Sequence, residues 1–280
     1  MESGDVMQVI PSPIREVLDD YIELIGASLP TRLEGLYVHG SIALGAYVEG
    51  KSDIDFIAVT SEPITEKDLP LLSGLHLRIK KMFPSFELDG GYVTWDDLAE
   101  DDIYQKSFVY YNDGEMKKGT VINPVTTWFL QKKAVNIIGP GIQELEIGLD
   151  DRLLIRYTFE NINTYWADRI QFLESQVDRL DQWTTEQIDS ELEWSILGML
   201  RQYYTLKEKD IISKVEAGEY ALRHLPALWH PIIQEAINIR SGNKEELFGT
   251  HDERIQTALK FLRYLHSHFN QLMEVEGRRK

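Results

Sequence analysis

The chain has no cysteine. Disulfides, thiolate nucleophiles and cysteine-based zinc sites are therefore excluded. No stretch approaches the roughly 18–20 apolar residues needed to span a bilayer, so no membrane partner is expected. The first twenty residues, MESGDVMQVIPSPIREVLDD, lack the basic region and apolar run of a secretory signal, and a cytoplasmic location is expected. A basic excess is missing too: 29 Lys and Arg stand against 46 Asp and Glu, a formal charge of −17. Proteins that grip nucleic acids usually carry a basic footprint, so no nucleic-acid partner is expected. An acidic field suits a cationic small molecule, although acidity serves solubility equally well. Internal repeats and low-complexity linkers are also lacking.

What is present is enough for two ordinary domains: 280 residues, 43% of them hydrophobic. Residues 13–27 carry Ile14, Val17, Leu18, Tyr21, Ile22 and Ile25 at helical spacing, with Pro13 suited to a first turn. Residues 35–39 and 54–59 read as strands, 75–83 as a helix and 86–95 as a strand. Residues 123–140 read as a helix, a short strand and a Gly-Pro stop. Beyond about residue 150 the strand signals fade and three long helical candidates follow, the last with Ile255, Leu259, Leu262, Leu265, Phe269 and Leu272 on one face. The pattern predicts an α/β (α+β) domain with a mixed sheet over 1–150 and an all-α helical bundle over 151–280.

Chemistry concentrates in residues 37–59, YVHGSIALGAYVEGKSDIDFIAV. Gly45, Gly50, Lys51 and Ser52 match a P-loop as a string, but a P-loop needs a strand before it and a helix after it. Here a helical segment precedes and a strand follows, so the match is rejected. The alternative is a strand, a Gly40-Ser41 turn opening a short helix, and Asp53 and Asp55 at the head of the next strand. Residues two apart in a strand share a face, so the two carboxylates stand together. Paired carboxylates repel unless a cation lies between them, and magnesium binds one or two carboxylates together with substrate phosphates. Gly40 permits close backbone approach to a phosphate, and Ser41 opens a helix whose N–H groups attract anions. A D-x-D at a strand end is commonly just a solvated pair; G-S, eleven residues, then D-x-D opening an apolar strand is far more restrictive.

This signature resembles that of the polymerase-β-like nucleotidyltransferases. The layout of both halves, with R-x-x-Y, I-x-x-K and A-L-x-x-L-P elements in ELEWSILGMLRQYYTLKEKDIISKVEAGEYALRHLPALWHPIIQEA, is similar to the streptomycin/spectinomycin type of aminoglycoside adenylyltransferase. The resemblance spans roughly residues 35–240. It implies magnesium at Asp53 and Asp55, ATP as co-substrate, and Glu87 as general base or third metal ligand, with Asp89 on the same strand face as the rival. It implies phosphate contacts from Arg201 and Lys214 and, near the motif, from Ser52. Glu191 falls at an acidic position that faces the amino groups of the drug. Trp194, one turn on, replaces a polar residue, often histidine, in the family. Residues 96–122 match poorly and read as either a substrate loop or a surface insertion. The expected activity is transfer of AMP from ATP to a hydroxyl of streptomycin or spectinomycin by a monomer. The alternatives are a protein or other metabolite as acceptor, or a nucleotide-sensing module without turnover.

Overall fold

The computed structural model describes residues 10–277 apart from positions 30, 31, 101, 102, 146, 149, 244 and 246. The chain divides into two compact units, residues 1–150 and 151–280.

The first unit is built on a six-stranded mixed sheet. Its strands are β1 (Leu33–Val38), β2 (Ile54–Thr60), β3 (Leu88–Val93), β4 (Phe108–Asn112), β5 (Glu115–Gly119) and β6 (Val135–Ile138). They lie in the order β5-β4-β3-β2-β1-β6. Only the central β2–β3 pair is parallel. Among the described residues the α-helices beside the sheet are α1 (Ser12–Ser28), α2 (Gly40–Ala43), α3 (Leu69–Met82), α4 (Trp95–Leu98) and α5 (Pro124–Lys132).

Strand parity explains the two cores. Leu36, Val38, Ile54, Phe56, Ala58, Leu88 and Tyr92 point to one face, where α1 and α3 bury Val17, Leu18, Tyr21, Leu72 and Ile79 over them. Tyr37, Ile57, Val59 and Val93 point to the other, against Leu98 and Leu130. Burying both faces of the central strands makes β1 and β2 read as near-continuous apolar runs. Asp53, Asp55 and Asp89 have the parity of the second face.

The structure adjusts several expected boundaries. Helix α3 begins at Leu69, with Pro70 in the first turn where its missing N–H costs nothing. Strand β3 stops at Val93 because Thr94 caps α4: its Oγ1 accepts from Asp97 N at 3.2 Å while the Asp97 carboxylate accepts from Thr94 N at 3.0 Å. Trp95 is therefore helical. The ambiguous 96–122 stretch is mainly the β4–β5 hairpin, which extends the sheet. Its two-residue turn is Asp113-Gly114, both at positive φ (52° and 79°), the Asp-Gly signature of a tight hairpin.

The second unit is all-helical among the described residues, so the expected architecture of a mixed-sheet domain followed by a helical bundle is the one found. Its principal helices are α6 (Asp151–Asn161), α7 (Ala167–Gln176), α8 (Thr185–Glu208), α9 (Lys214–His224), α10 (His230–Ser241) and α11 (His251–Gly277). The first of the three long helical candidates, residues 151–177, contains a π-helical turn at Ile162–Trp166. Helix α8 is the spine. It buries Ile188, Leu192, Ile196, Leu200 and Tyr203 at three- and four-residue spacing, in one cluster with Leu259, Leu262 and Phe269 of α11.

Candidate active site

The Gly40-Ser41 turn and the D-x-D strand meet as the sequence predicts. Gly40 has φ +62°, and a Cβ placed on it would lie 1.9 Å from Asp55 Oδ2. Only glycine lets the turn lie against this carboxylate, both for its conformation and for its lack of a side chain. The strand end is pinned by a hydrogen bond from His39 N to Asp55 O at 2.9 Å. Ser41 Oγ is buried and has no hydrogen-bond partner among the described residues. A buried hydroxyl without a partner is costly, so it marks a place built for a further polar group. Ser52 closes the intervening loop, its Oγ accepting from Val48 N at 3.1 Å.

Strand β3 runs parallel beside β2 and sets Asp89 across from Asp55. The Asp89 carboxyl is pushed up to about 6, first by burial and then by the charges of Asp53 and Asp113, against a hydrogen bond from Asn112 that pulls it down. Asn112 Nδ2 donates to Asp89 Oδ2 at 2.7 Å. Sequence reading missed Asn112, because its hairpin was not recognised; the Asn-Asp-Gly turn signal was the available clue. Carboxylates crowded in this way favour a hard cation with oxygen ligands, so the donor set fits magnesium held by one or two acids plus phosphates and water.

Glu87 is placed differently from expectation. It precedes β3, its side chain is 46% exposed, and its carboxylate pairs with Lys80 of α3. Its backbone is tied to the site, since Ile54 N donates to Glu87 O at 2.7 Å. Among the described residues no three His, Asp or Glu side chains converge closely enough to hold a metal alone. Asp53, Asp55 and Glu87 are thus not gathered into one ligand set: Glu87 lies just outside the strand and is drawn toward Lys80.

Within the helical unit, Arg201 of α8 and Lys214 at the start of α9 come into electrostatic reach of each other. Lys214 Nζ donates to Glu193 Oε1 at 2.9 Å, and Arg240 Nη1 of α10 reaches the same oxygen at 3.5 Å. Glu191 is bound through both carboxylate oxygens by Arg169 of α7, with Nε–Oε1 at 3.1 Å. The Arg169 guanidinium also stands over Trp194, 5.1 Å from the ring centroid, and over Phe172 at 4.8 Å. Trp194 packs on Trp166 at 4.9 Å and edge-on to Tyr165 at 5.8 Å. The π-turn that carries Tyr165 and Trp166 shifts the helix phase locally and aims both rings at Trp194. Glu191 also borders an open hollow of about 380 Å³ lined by Trp183, Glu186, Gln187 and Ser190.

Among the described residues no helix is long and apolar enough to cross a membrane. No curated protein matches the chain significantly. The fold is that of a spectinomycin adenyltransferase, AAD(9) from Enterococcus faecialis, solved with ATP and spectinomycin: TM-score 0.65 at 18% identity, covering 91% of this chain and 99% of that one. Residues 165–264 match the family model of the aminoglycoside adenylyltransferase C-terminal domain. The helical unit thus carries an aminoglycoside adenylyltransferase C-terminal domain over residues 165–264, on a chain whose fold is that of AAD(9).

Proposed function

We propose that the protein transfers AMP from ATP to a hydroxyl of spectinomycin or streptomycin, releasing pyrophosphate and so inactivating the drug. The observation that carries this reading is the Gly40 turn lying against the Asp55 carboxylate, with Ser41 Oγ buried beside it and no partner for it among the described residues. A glycine turn in contact with a carboxylate suits a phosphate tail and its metal far better than it suits stability. Support for an aminoglycoside acceptor comes from the family match over 165–264 and from the AAD(9) fold, whose structure holds ATP and spectinomycin.

Asp53 and Asp55 would hold Mg²⁺, which when bound supplies positive charge to the polyphosphate. Gly40 and Ser41 offer backbone N–H groups and a hydroxyl to phosphate oxygens, and Ser52 keeps the loop in shape. Arg201 and Lys214 of the helical unit supply further positive charge for the developing pyrophosphate. Glu87, exposed and able to move away from Lys80, takes the proton of the acceptor hydroxyl. Asp89 is the second reading for that base, favoured by its position opposite Asp55 and its hydrogen bond from Asn112. Glu191 and Trp194 are the acceptor contacts, one for a cation and one for a sugar face.

The test is pyrophosphate release with ATP and magnesium in the presence of spectinomycin, streptomycin or kanamycin. Glu87→Gln and Asp89→Asn are assayed beside the wild type. Release with spectinomycin or streptomycin, abolished in one of the two variants, establishes the acceptor and names the base. Binding of ATP without release for any drug refutes the antibiotic acceptor and redirects the search to a protein or another metabolite.

A further inference from the structure

Glu193 is a buried carboxylate on α8, with only 8% of its side chain exposed. A lone carboxylate at that depth needs one cation to balance it. Arg240, itself 5% exposed, supplies one from α10, and Lys214 supplies a second to the same oxygen. The charged neighbours that set the protonation of Lys214 are Glu193 and Arg201 on α8 and Arg240 on α10. Two of those three are cations. Glu193 thus holds Lys214 from α9 and Arg240 from α10 at one buried oxygen.

We propose that Glu193 is a positioning residue for nucleotide binding: its buried carboxylate fixes Lys214 in place and holds its proton, while Arg240 offsets its charge, so that Lys214 presents its ammonium to a polyphosphate. The inference rests on the reading of Lys214 and Arg201 as phosphate contacts. Its physical content is a division of labour. Arg240 lies too deep to meet a ligand and serves as the counter-ion. Lys214, with 20% of its side chain exposed, presents the charge. Burial pulls the Lys214 ammonium below the ordinary lysine range, and Glu193 acts against that pull through its charge and its hydrogen bond. Removing the Glu193 charge therefore lets Lys214 lose its proton at lower pH. The bound phosphate then loses a cation as pH rises.

The experiment is calorimetric titration of the full chain with Mg-ATP, without acceptor, between pH 7 and 9. Wild-type affinity is expected to change less than about threefold over this span. In Glu193→Gln the Kd is expected to rise by about tenfold or more, the equivalent of one pKa unit on a single required proton. Glu193→Gln combined with Lys214→Arg should be flat again, because a guanidinium stays charged throughout. A merely structural role would lower the melting temperature without creating a pH dependence that arginine removes. If Glu193→Gln does not fold, Glu193→Asp, which keeps the charge but draws back from Lys214, should show the same trend with smaller amplitude. A variant whose affinity follows the wild type across pH, or a double variant as pH-sensitive as the single one, overturns the role of Glu193. A wild type that binds no Mg-ATP overturns the phosphate reading itself, and the two failures are thereby distinct.

Discussion

Asp89 of the sheet unit and the deepest acids of the helical unit are treated in opposite ways. In the sheet unit, burial and then the charges of Asp53 and Asp113 push the Asp89 carboxyl upward. In the helical unit the deepest acids are matched with cations: Glu193 with Lys214 and Arg240, and Glu235 with Arg254, which also reaches Asp189. Burial with like charges nearby disfavours ionised Asp89, a cost that a bound cation would offset. Pairing in the bundle spares the fold the penalty of buried charge. Asp68 with Arg32 and Asp97 with Lys106 are paired in the sheet unit too, so the contrast lies between Asp89 and the paired acids of both units.

The sharpest way to break this contrast is to neutralise an acid on one side and remove an acid's cation on the other. Asp53→Asn is expected to lower kcat/KM for drug-dependent pyrophosphate release by about a thousandfold, ~4 kcal/mol of transition-state stabilisation. Its melting temperature should stay level, because the Asp53 side chain is exposed at the head of β2. Arg254→Ala should do the reverse. It leaves Glu235, 4% exposed in its side chain, without that cation and is expected to cost about 3 kcal/mol of stability. Denaturant unfolding reads both. Equal destabilisation by the two variants would mean that the acids of the sheet unit are structural after all.

The same contrast governs what could be read from the sequence. The G-S and D-x-D elements were legible because they are local: a glycine that must turn and two acids at strand parity leave a fixed spacing. The helical bundle was legible because α8 and α11 keep their apolar periodicity for five turns and more. The hairpin at 108–119 was not read, although Asn112-Asp113-Gly114 is a strong turn signal, because short edge strands such as EMKKG carry little apolar alternation. With it went Asn112, the hydrogen-bond donor to Asp89. The ion pairs of Glu191 with Arg169 and of Glu193 with Arg240 join residues 22 and 47 positions apart. Such pairings depend on helix packing, which no local pattern records. Glu87 shows the same limit: strand parity described its side, but not the lysine of α3 that draws its carboxylate away.

The smallest effect sharpens the contrast from the side of a buried base. His76 of α3 is 1% exposed, stacks on Tyr111 with ring centroids 3.7 Å apart, and hydrogen-bonds through Nε2 to Tyr92 Oη at 2.7 Å. Tyr92 Oη in turn meets Tyr21 Oη at 2.9 Å. Its neighbours are thus neutral tyrosines, and burial lowers the imidazole to about 3 from an ordinary 6.5. The folded state therefore refuses a proton that the unfolded chain accepts. The resulting stability is fully present above pH 6.5 and is lost as pH falls from there toward 3, at up to about 1.4 kcal/mol per pH unit for one proton. His76→Gln can keep the hydrogen bond to Tyr92 and cannot titrate, so its unfolding free energy should fall less steeply than the wild type's between pH 6 and 4.5. The difference in slope should approach one proton, measured by urea unfolding at matched ionic strength. Parallel slopes would mean that His76 accepts its proton within the fold. The Tyr21–Tyr92–His76 chain would then belong with the paired charges of the bundle, as a site that tolerates ionisation because something nearby compensates it.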